Sequence, residues 1–410
     1  MFGHYGRGRE EKRQNQPRQE EMILNDYLAP VRAAVLAERE ETSSSLGQQL
    51  RIHEEIEGLP DWEDCRLAFF GVKEDRGGRS KGSAEGPDVV RRYLYALQGG
   101  EWDAPLADLG DIYAGERLSD TMVAVKEVSY QLLKRGVIPV LIGGSQDLTY
   151  GLYRAYDGME QTVNLAAIDA RFDLGKQDDP LQEGSYLSHV ILQKPYILFN
   201  FSLLGYQTYY ADPEEIRLME RMYFELHRLG RLHGQIQEAE PLLRDADLVS
   251  FDLAALRQGD APGKAENSPN GFSAEEACAL ARYAGISDKT SAFGLFGFIP
   301  ARDPFDSTAH LAAQMLWYFT EGVFSRKGDY PLRKKEEYER YTVLIEEGKY
   351  QLVFYKSPFS GRWWIEVPQK ENGEIKHNRH QLIPCSARDY EEALRNEIPE
   401  RWWQAMKKSI

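Results

Sequence analysis

The chain has 410 residues, 42% of them hydrophobic, enough for one large α/β core with an appendage or for two to three domains. A formal net charge of -15 argues against a general binder of nucleic acid or anionic membrane, both of which would repel it at long range. Cys65, Cys278 and Cys385 are widely spaced and odd in number, so they supply neither a disulfide framework nor a CxxC metal knuckle. The expected setting is a reducing cytoplasm, because the N-terminus carries no apolar leader and no long apolar run occurs.

Residues 1–21, MFGHYGRGREEKRQNQPRQEE, are almost wholly polar, the composition of a disordered arm with no assigned role. The stretch 22–325 is expected to form one α/β domain, because from residue 65 strand-like and helix-like segments alternate, which implies a mainly parallel sheet covered by helices on both faces. A short apolar strand is expected at 67–72. The Gly-rich loop 74–86 follows, and Pro87 opens a helix to Leu97 at the position where proline is tolerated. Helical spacing runs over 118–135, and buried strands are expected at 137–142 and 163–168. Further strands are expected at 247–251 and 292–298, with helices at 273–284, where Ser273 begins a capping signal, and at 307–318.

Beyond about residue 326 the pattern changes. Runs at 341–345, 350–355 and 363–367 are β-rich and joined by turn-forming residues, so 326–410 is expected to be an aromatic-rich antiparallel meander with a helical extension. Its aromatics are read chiefly as packing residues.

Three segments place polar groups directly after an expected parallel strand: GGSQD at 143–147, DARFD at 169–173 and SFDLA at 250–254. Ligand sites of open α/β sheets lie at the carboxyl ends of strands, so these segments should converge. Asp169 and Asp173 are spaced to hold a hard divalent ion between them, whereas Arg171 stays protonated and cannot coordinate one. Taken singly, Asp169, Asp173 and Asp252 are equally well explained as caps on loop or helix amides.

At these residues the chain resembles the ureohydrolase superfamily of arginases, agmatinases and formimidoylglutamases. The family's GGDHS, DAHxD and SxDxD stand here as GGSQD, DARFD and SFDLA, in the same order. GVKEDRGGRSKGSAEGPDVVRR at 71–92, the Ser188-His189 pair and PARDPFDSTAHLAAQ at 300–314 extend the likeness over roughly residues 60–325. The resemblance implies a three-layer, doubly wound arginase-like fold, and two manganese ions that share bridging carboxylates and activate a water to attack a guanidine or amidine carbon.

Carried over by resemblance, the six ligand positions fall on Gln146, Asp169, Arg171, Asp173, Asp252 and Ala254, and three of them are aspartate. The first ion would take Gln146, Asp169, Asp173 and Asp252. Both positions private to the second ion, Arg171 and Ala254, have lost their ligands. Three aspartates at -1 and one arginine at +1 leave -2, which a single divalent ion would neutralise, with the Gln146 amide oxygen as a ligand. Alternatively Arg171 bridges Asp169 and Asp252 and no ion is needed. The acidic residue expected before the PxxD stretch falls at or near Phe298. His189 is the candidate proton shuttle and Ser188 a candidate substrate contact.

Ordinary two-metal hydrolysis is therefore not expected. One reading is a binding or assembly protein that takes a small guanidine, amidine or amino-acid ligand. Another is a hydrolase working with one divalent ion, manganese by resemblance, with formimidoylglutamate as its preferred substrate. A third makes the aromatic tail a protein-docking module. The resemblance also implies a trimer or hexamer, and no nucleic acid or membrane is expected as a partner.

Overall fold

The structure is a computed structural model that describes residues 24–38, 44–176, 178–368 and 381–409; the polar arm 1–21 lies outside them. One nine-stranded sheet contains β1 (Leu50–Ile52), β2 (Leu67–Lys73), β3 (Leu106–Tyr113), β4 (Ile138–Gly143), β5 (Val163–Ile168), β6 (Leu198–Tyr206), β7 (Glu225–Arg228), β8 (Leu248–Asp252) and β9 (Ala292–Phe296). Their spatial order is β1-β3-β2-β4-β9-β8-β5-β6-β7 and every pairing is parallel.

Strand periodicity divides the interior in two. Leu67 and Phe69 of β2 enter the core on one face with Val140, Ile142, Val249 and Phe251, while Ala68, Phe70 and Val72 enter the core on the other face with Leu141 and Leu165. A strand buried on both faces has to be apolar at consecutive positions, which is how β2, β4, β5 and β8 read in the sequence. Helices close both sides and make the expected three layers. On one of them the helix Ala274–Gly285 packs against the helix Ser307–Phe324 so closely that a Cβ on Gly285 would lie 2.2 Å from the Phe319 carbonyl oxygen.

Several elements differ from the sequence reading. The last long helix runs on to Phe324, and β9 stops at Phe296 because Gly297 turns away with φ of 84°. Strands β1, β3, β6 and β7 were not expected. β3 reads LADLGDIY, and its two aspartates disguise a buried strand. Both are matched by Arg91, itself wholly buried, which donates from Nε to Asp108 at 2.9 Å and from Nη1 to Asp111 at 2.5 Å. Lys73 adds contacts to Asp88 at 2.6 Å and Asp111 at 3.6 Å. Gly71 makes room for this network, since a Cβ there would sit 1.9 Å from Asp111 Oδ1.

A separate four-stranded antiparallel sheet, β10 (Glu339–Ile345), β11 (Tyr350–Lys356), β12 (Trp363–Glu366) and β13 (Leu382–Cys385), follows the last long helix. With the helices Ala387–Leu394 and Glu400–Ser409 it encloses a small core of Ile345, Leu352, Phe354, Ile365 and Trp402. Its aromatics pack, as expected: Trp363 stacks on Tyr390 at 4.9 Å and Trp364 is 1% exposed. Arg244 joins this unit to the parallel sheet, donating to the Cys385 carbonyl at 3.0 Å and lying over the Trp364 ring at 4.3 Å. Among the described residues no helix is long and apolar enough to cross a membrane.

Two outcomes follow from these buried charges. Arg91→Leu strands two buried carboxylates and should cost about 3–5 kcal/mol in urea unfolding, because an uncompensated buried charge is far worse than a lost contact. At β7, burial beside Arg401 and Arg231 pushes the His227 imidazole down from 6.5 to about 3. Protonation then favours the unfolded chain, so this histidine's contribution is full above pH 6.5 and is lost as pH falls toward 3. His227→Gln should lessen the loss of stability between about pH 7 and 5 by on the order of 1 kcal/mol, read from urea midpoints at the two values.

Candidate functional site

After β4 the chain crosses to β5, and the two positions skipped are filled later by β8 and β9. A change of winding direction opens a crevice at the carboxyl ends of strands. The three expected segments meet there: Gln146 follows β4, Asp169 and Asp173 follow β5, and Asp252 ends β8. All four are buried, with exposures of 0%, 2%, 5% and 2% respectively.

Each aspartate also has a local structural duty. Asp169 Oδ1 accepts the Arg171 main-chain N–H at 3.0 Å, and Asp252 Oδ1 accepts that of Ala254 at 2.6 Å. Asp173 adopts the left-handed conformation, φ 52°, uncommon for a residue with a Cβ. Gln146 Nε2 donates to Ser250 Oγ at 3.2 Å, leaving its Oε1 buried without a hydrogen-bond partner. Asp173 Oδ2 and Asp252 Oδ2 are likewise unpartnered.

Arg171 does not bridge Asp169 and Asp252. Its guanidinium turns to Glu266, with Nη2 to Oε2 at 2.7 Å and Nε to the same oxygen at 3.1 Å, and covers the Tyr210 ring at 4.2 Å. The cation in the cluster is Arg79, from the Gly-rich loop. Its Nη2 donates to Asp173 Oδ1 and its Nη1 donates to Glu183 Oε1 at 3.2 Å. Lys264, wholly buried, is a second cation; its Nζ donates to the Leu256 carbonyl.

The charges act on one another through a medium of low polarity. Burial, then Asp173 and Asp252, carries the Asp169 carboxyl well above the usual range, and burial with Glu183 does the same to Asp252. Burial opposes the Arg79 charge, but Asp173, Glu183 and Asp169 outweigh it and hold the guanidinium above its ordinary value. Burial pushes Lys264 down to about 8, against the pull of Asp252, Glu266 and Asp169. Asp147, unpartnered at both oxygens, is raised by burial to about 7.

Ser188 and His189 lie on the helix Tyr186–Leu192. Ser188 Oγ donates to the Leu174 carbonyl, and His189 Nε2 meets the Asp179 carbonyl at 3.0 Å while its ring stands edge-on to Tyr150. Arg79, Glu183, Lys264, Glu266 and Tyr186 were not singled out from the sequence. Arg79 lies inside the stretch 71–92 that carried the resemblance, which was the available signal.

Comparison with known proteins agrees with this geometry. The model of the arginase family matches residues 65–321. The chain belongs to the arginase family. A formimidoylglutamase of Geobacillus kaustophilus is 28% identical over 295 residues, covering 67% of this chain and 90% of that protein. A Streptococcus gordonii formimidoylglutamase is 24% identical over 289 residues, covering 63% of this chain and 85% of that protein. Among solved structures, formimidoylglutamase from Bacillus subtilis superposes with TM-score 0.62 at 19% identity, covering 70% of this chain and 96% of that one. Trypanosoma cruzi formiminoglutamase with Mn2+ gives TM-score 0.60 at 20% identity, covering 69% and 99%.

Three of the positions that the resemblance assigns to a pair of ions have side chains that are absent or engaged elsewhere in this structure. Ala254 has no donor atom, Arg171 is a cation paired elsewhere, and Asp173 shares one carboxylate oxygen with a guanidinium. Among the described residues no group of three or more His, Cys, Asp or Glu side chains is placed to hold a metal ion. Since the Arg171–Glu266 pair is partly exposed, with 26% and 36% of the side chains accessible, Arg171→Ala should cost no more than about 1 kcal/mol in urea unfolding. A loss of several kcal/mol would return Arg171 to the heart of the cluster.

Proposed function

We propose that this arginase-family chain does not carry out two-manganese hydrolysis and keeps its strand-end acidic crevice for binding. The ligand class is a small guanidine, amidine or amino acid, held by Asp169, Asp173 and Asp252 with Gln146 and Ser188 beside them. The observation that supports this reading lies at the two positions that the resemblance assigns privately to a second ion: Arg171 is engaged by Glu266 and Tyr210, and Ala254 has only a methyl group. Without those ligands the second ion has no anchor of its own, and a bridging hydroxide needs both ions. A trimer or hexamer in the cytoplasm, with residues 326–410 as an added module on the 22–325 domain, completes the proposal.

A second reading, a one-ion formimidoylglutamase-like hydrolase with His189 as proton shuttle, draws support from two observations. The buried oxygens Gln146 Oε1, Asp173 Oδ2 and Asp252 Oδ2 have no hydrogen-bond partner, and relatives at 28% and 24% identity are formimidoylglutamases.

Elemental analysis of the dialysed full-length protein, paired with assays on formimidoylglutamate, agmatine and arginine, separates the two. The binding reading expects well under one manganese per chain and no turnover of any of the three. One tightly held ion with turnover of formimidoylglutamate supports the second reading, and about two ions per chain sinks the first outright. The triple variant Gln146→His, Arg171→His, Ala254→Asp should gain manganese relative to the parent, since it restores histidine and carboxylate donors at the three altered positions. If it gains none, the alignment of the three segments is at fault.

A further inference from the structure

We propose that Arg79 is the resident counter-cation of the strand-end cluster, a guanidinium that engages the carboxylates a metal ion would need; this rests on the non-manganese reading above. The loop that carries it is fitted to the site. A Cβ on Gly77 would lie 2.1 Å from Asp147 Oδ2 and one on Gly78 would lie 3.0 Å from the Ser145 Cβ, so the loop lies flat against the segment that follows β4. Only glycine permits that approach, and it delivers the next residue but one, Arg79, to the carboxylates.

Glu183 fixes the arginine at both ends. Its Oε2 accepts the Arg79 main-chain N–H at 2.9 Å, its Oε1 accepts Nη1 at 3.2 Å, and its own N–H donates to the Gly77 carbonyl at 2.9 Å. With Nη2 on Asp173, the guanidinium is held by two carboxylates from two different segments, a geometry that its planar donor array matches and that lysine would not. Lys264 stands as the second buried cation on the Asp252 side. Asp173 and Glu183 are therefore held by a cation that the chain itself carries. A divalent ion at Asp173 would have to compete for the same carboxylate and sit against a like charge, so guanidinium and metal exclude each other.

Chemical rescue tests this directly on the full-length dialysed protein. Arg79→Ala opens a guanidinium-sized, negatively lined space, and its Tm is expected to fall by about 5 °C or more. Millimolar methylguanidinium, or MnCl2, should then restore at least half of that loss, while the wild type does not respond to MnCl2. Arg79→Lys should recover only part of the wild-type Tm, because one ammonium cannot reproduce the forked contact. Should Arg79→Ala fail to fold, Arg79→Gln and the refolding yield from urea with and without methylguanidinium read the same rescue. If neither cation rescues the variants while the wild type is metal-free, the role of Arg79 is wrong and the proposed function stands. If the dialysed wild type holds stoichiometric manganese, both fall.

Discussion

The constraint on which this fold depends is the burial of carboxylates within parallel strands and at their carboxyl ends. A carboxylate taken out of water costs several kcal/mol unless a cation or a proton accompanies it. The sheet faces this cost in two places: in one, cations meet it, and in the other burial also carries Asp169 and Asp252 well above the usual carboxylate range. On its β2–β3 side, Asp108 and Asp111 are held by Arg91 and Lys73 at distances of 2.5 to 3.6 Å. At the crevice, Asp169, Asp173 and Asp252 face Arg79 and Lys264. In the first case the pairing lets a strand with two aspartates run through the core. In the second it settles Asp173 against the Arg79 guanidinium.

The same electrostatics decides between guanidinium and metal. Two unit charges 4 Å apart at an effective dielectric of 20 repel by about 4 kcal/mol, and a divalent ion beside a guanidinium doubles that. Such a repulsion works against an ion on Asp173 for as long as Arg79 keeps its place. Arg171, though charged, escapes this conflict because Glu266 neutralises it at 2.7 Å outside the cluster. Arg171 is thus electrically quiet, and the effective cation comes from the Gly-rich loop.

What was legible in the sequence followed from local pattern. Apolar runs placed β2, β4, β5 and β8, and polar residues directly after them placed the crevice, because strand ends in such sheets converge whatever the loops do. What was hidden depended on partners far apart in the chain. Asp173 and Arg79 are 94 residues apart, Glu183 and Arg79 are 104 apart, and Arg171 and Glu266 are 95 apart. No periodicity records such pairings. β3 was missed for the same reason, since its aspartates look solvent-facing until Arg91 is brought across from a neighbouring helix. His189 was named as a candidate shuttle from the Ser188-His189 pair that extends the resemblance, and its ring meets the Asp179 carbonyl and stands edge-on to Tyr150.

Retention of three aspartates is often read as retention of a metal, but each of these three is needed by the fold in its own right. Asp169 and Asp252 accept the main-chain N–H groups of Arg171 and Ala254, two residues further on, where the chain turns out of a strand. Removing a buried acceptor of that kind leaves an amide unsatisfied at a cost of about 1–3 kcal/mol. Asp173 holds Arg79 and occupies a left-handed backbone position that aspartate tolerates better than most residues. The side chains at 171 and 254 do no such work: one points to the rim and the other is a methyl group. On the proposed reading, which needs no second ion, these two positions are free to change while the aspartates are not. The three aspartates are therefore residues that the strand ends require, and their carboxylates are evidence for the fold before they are evidence for an ion.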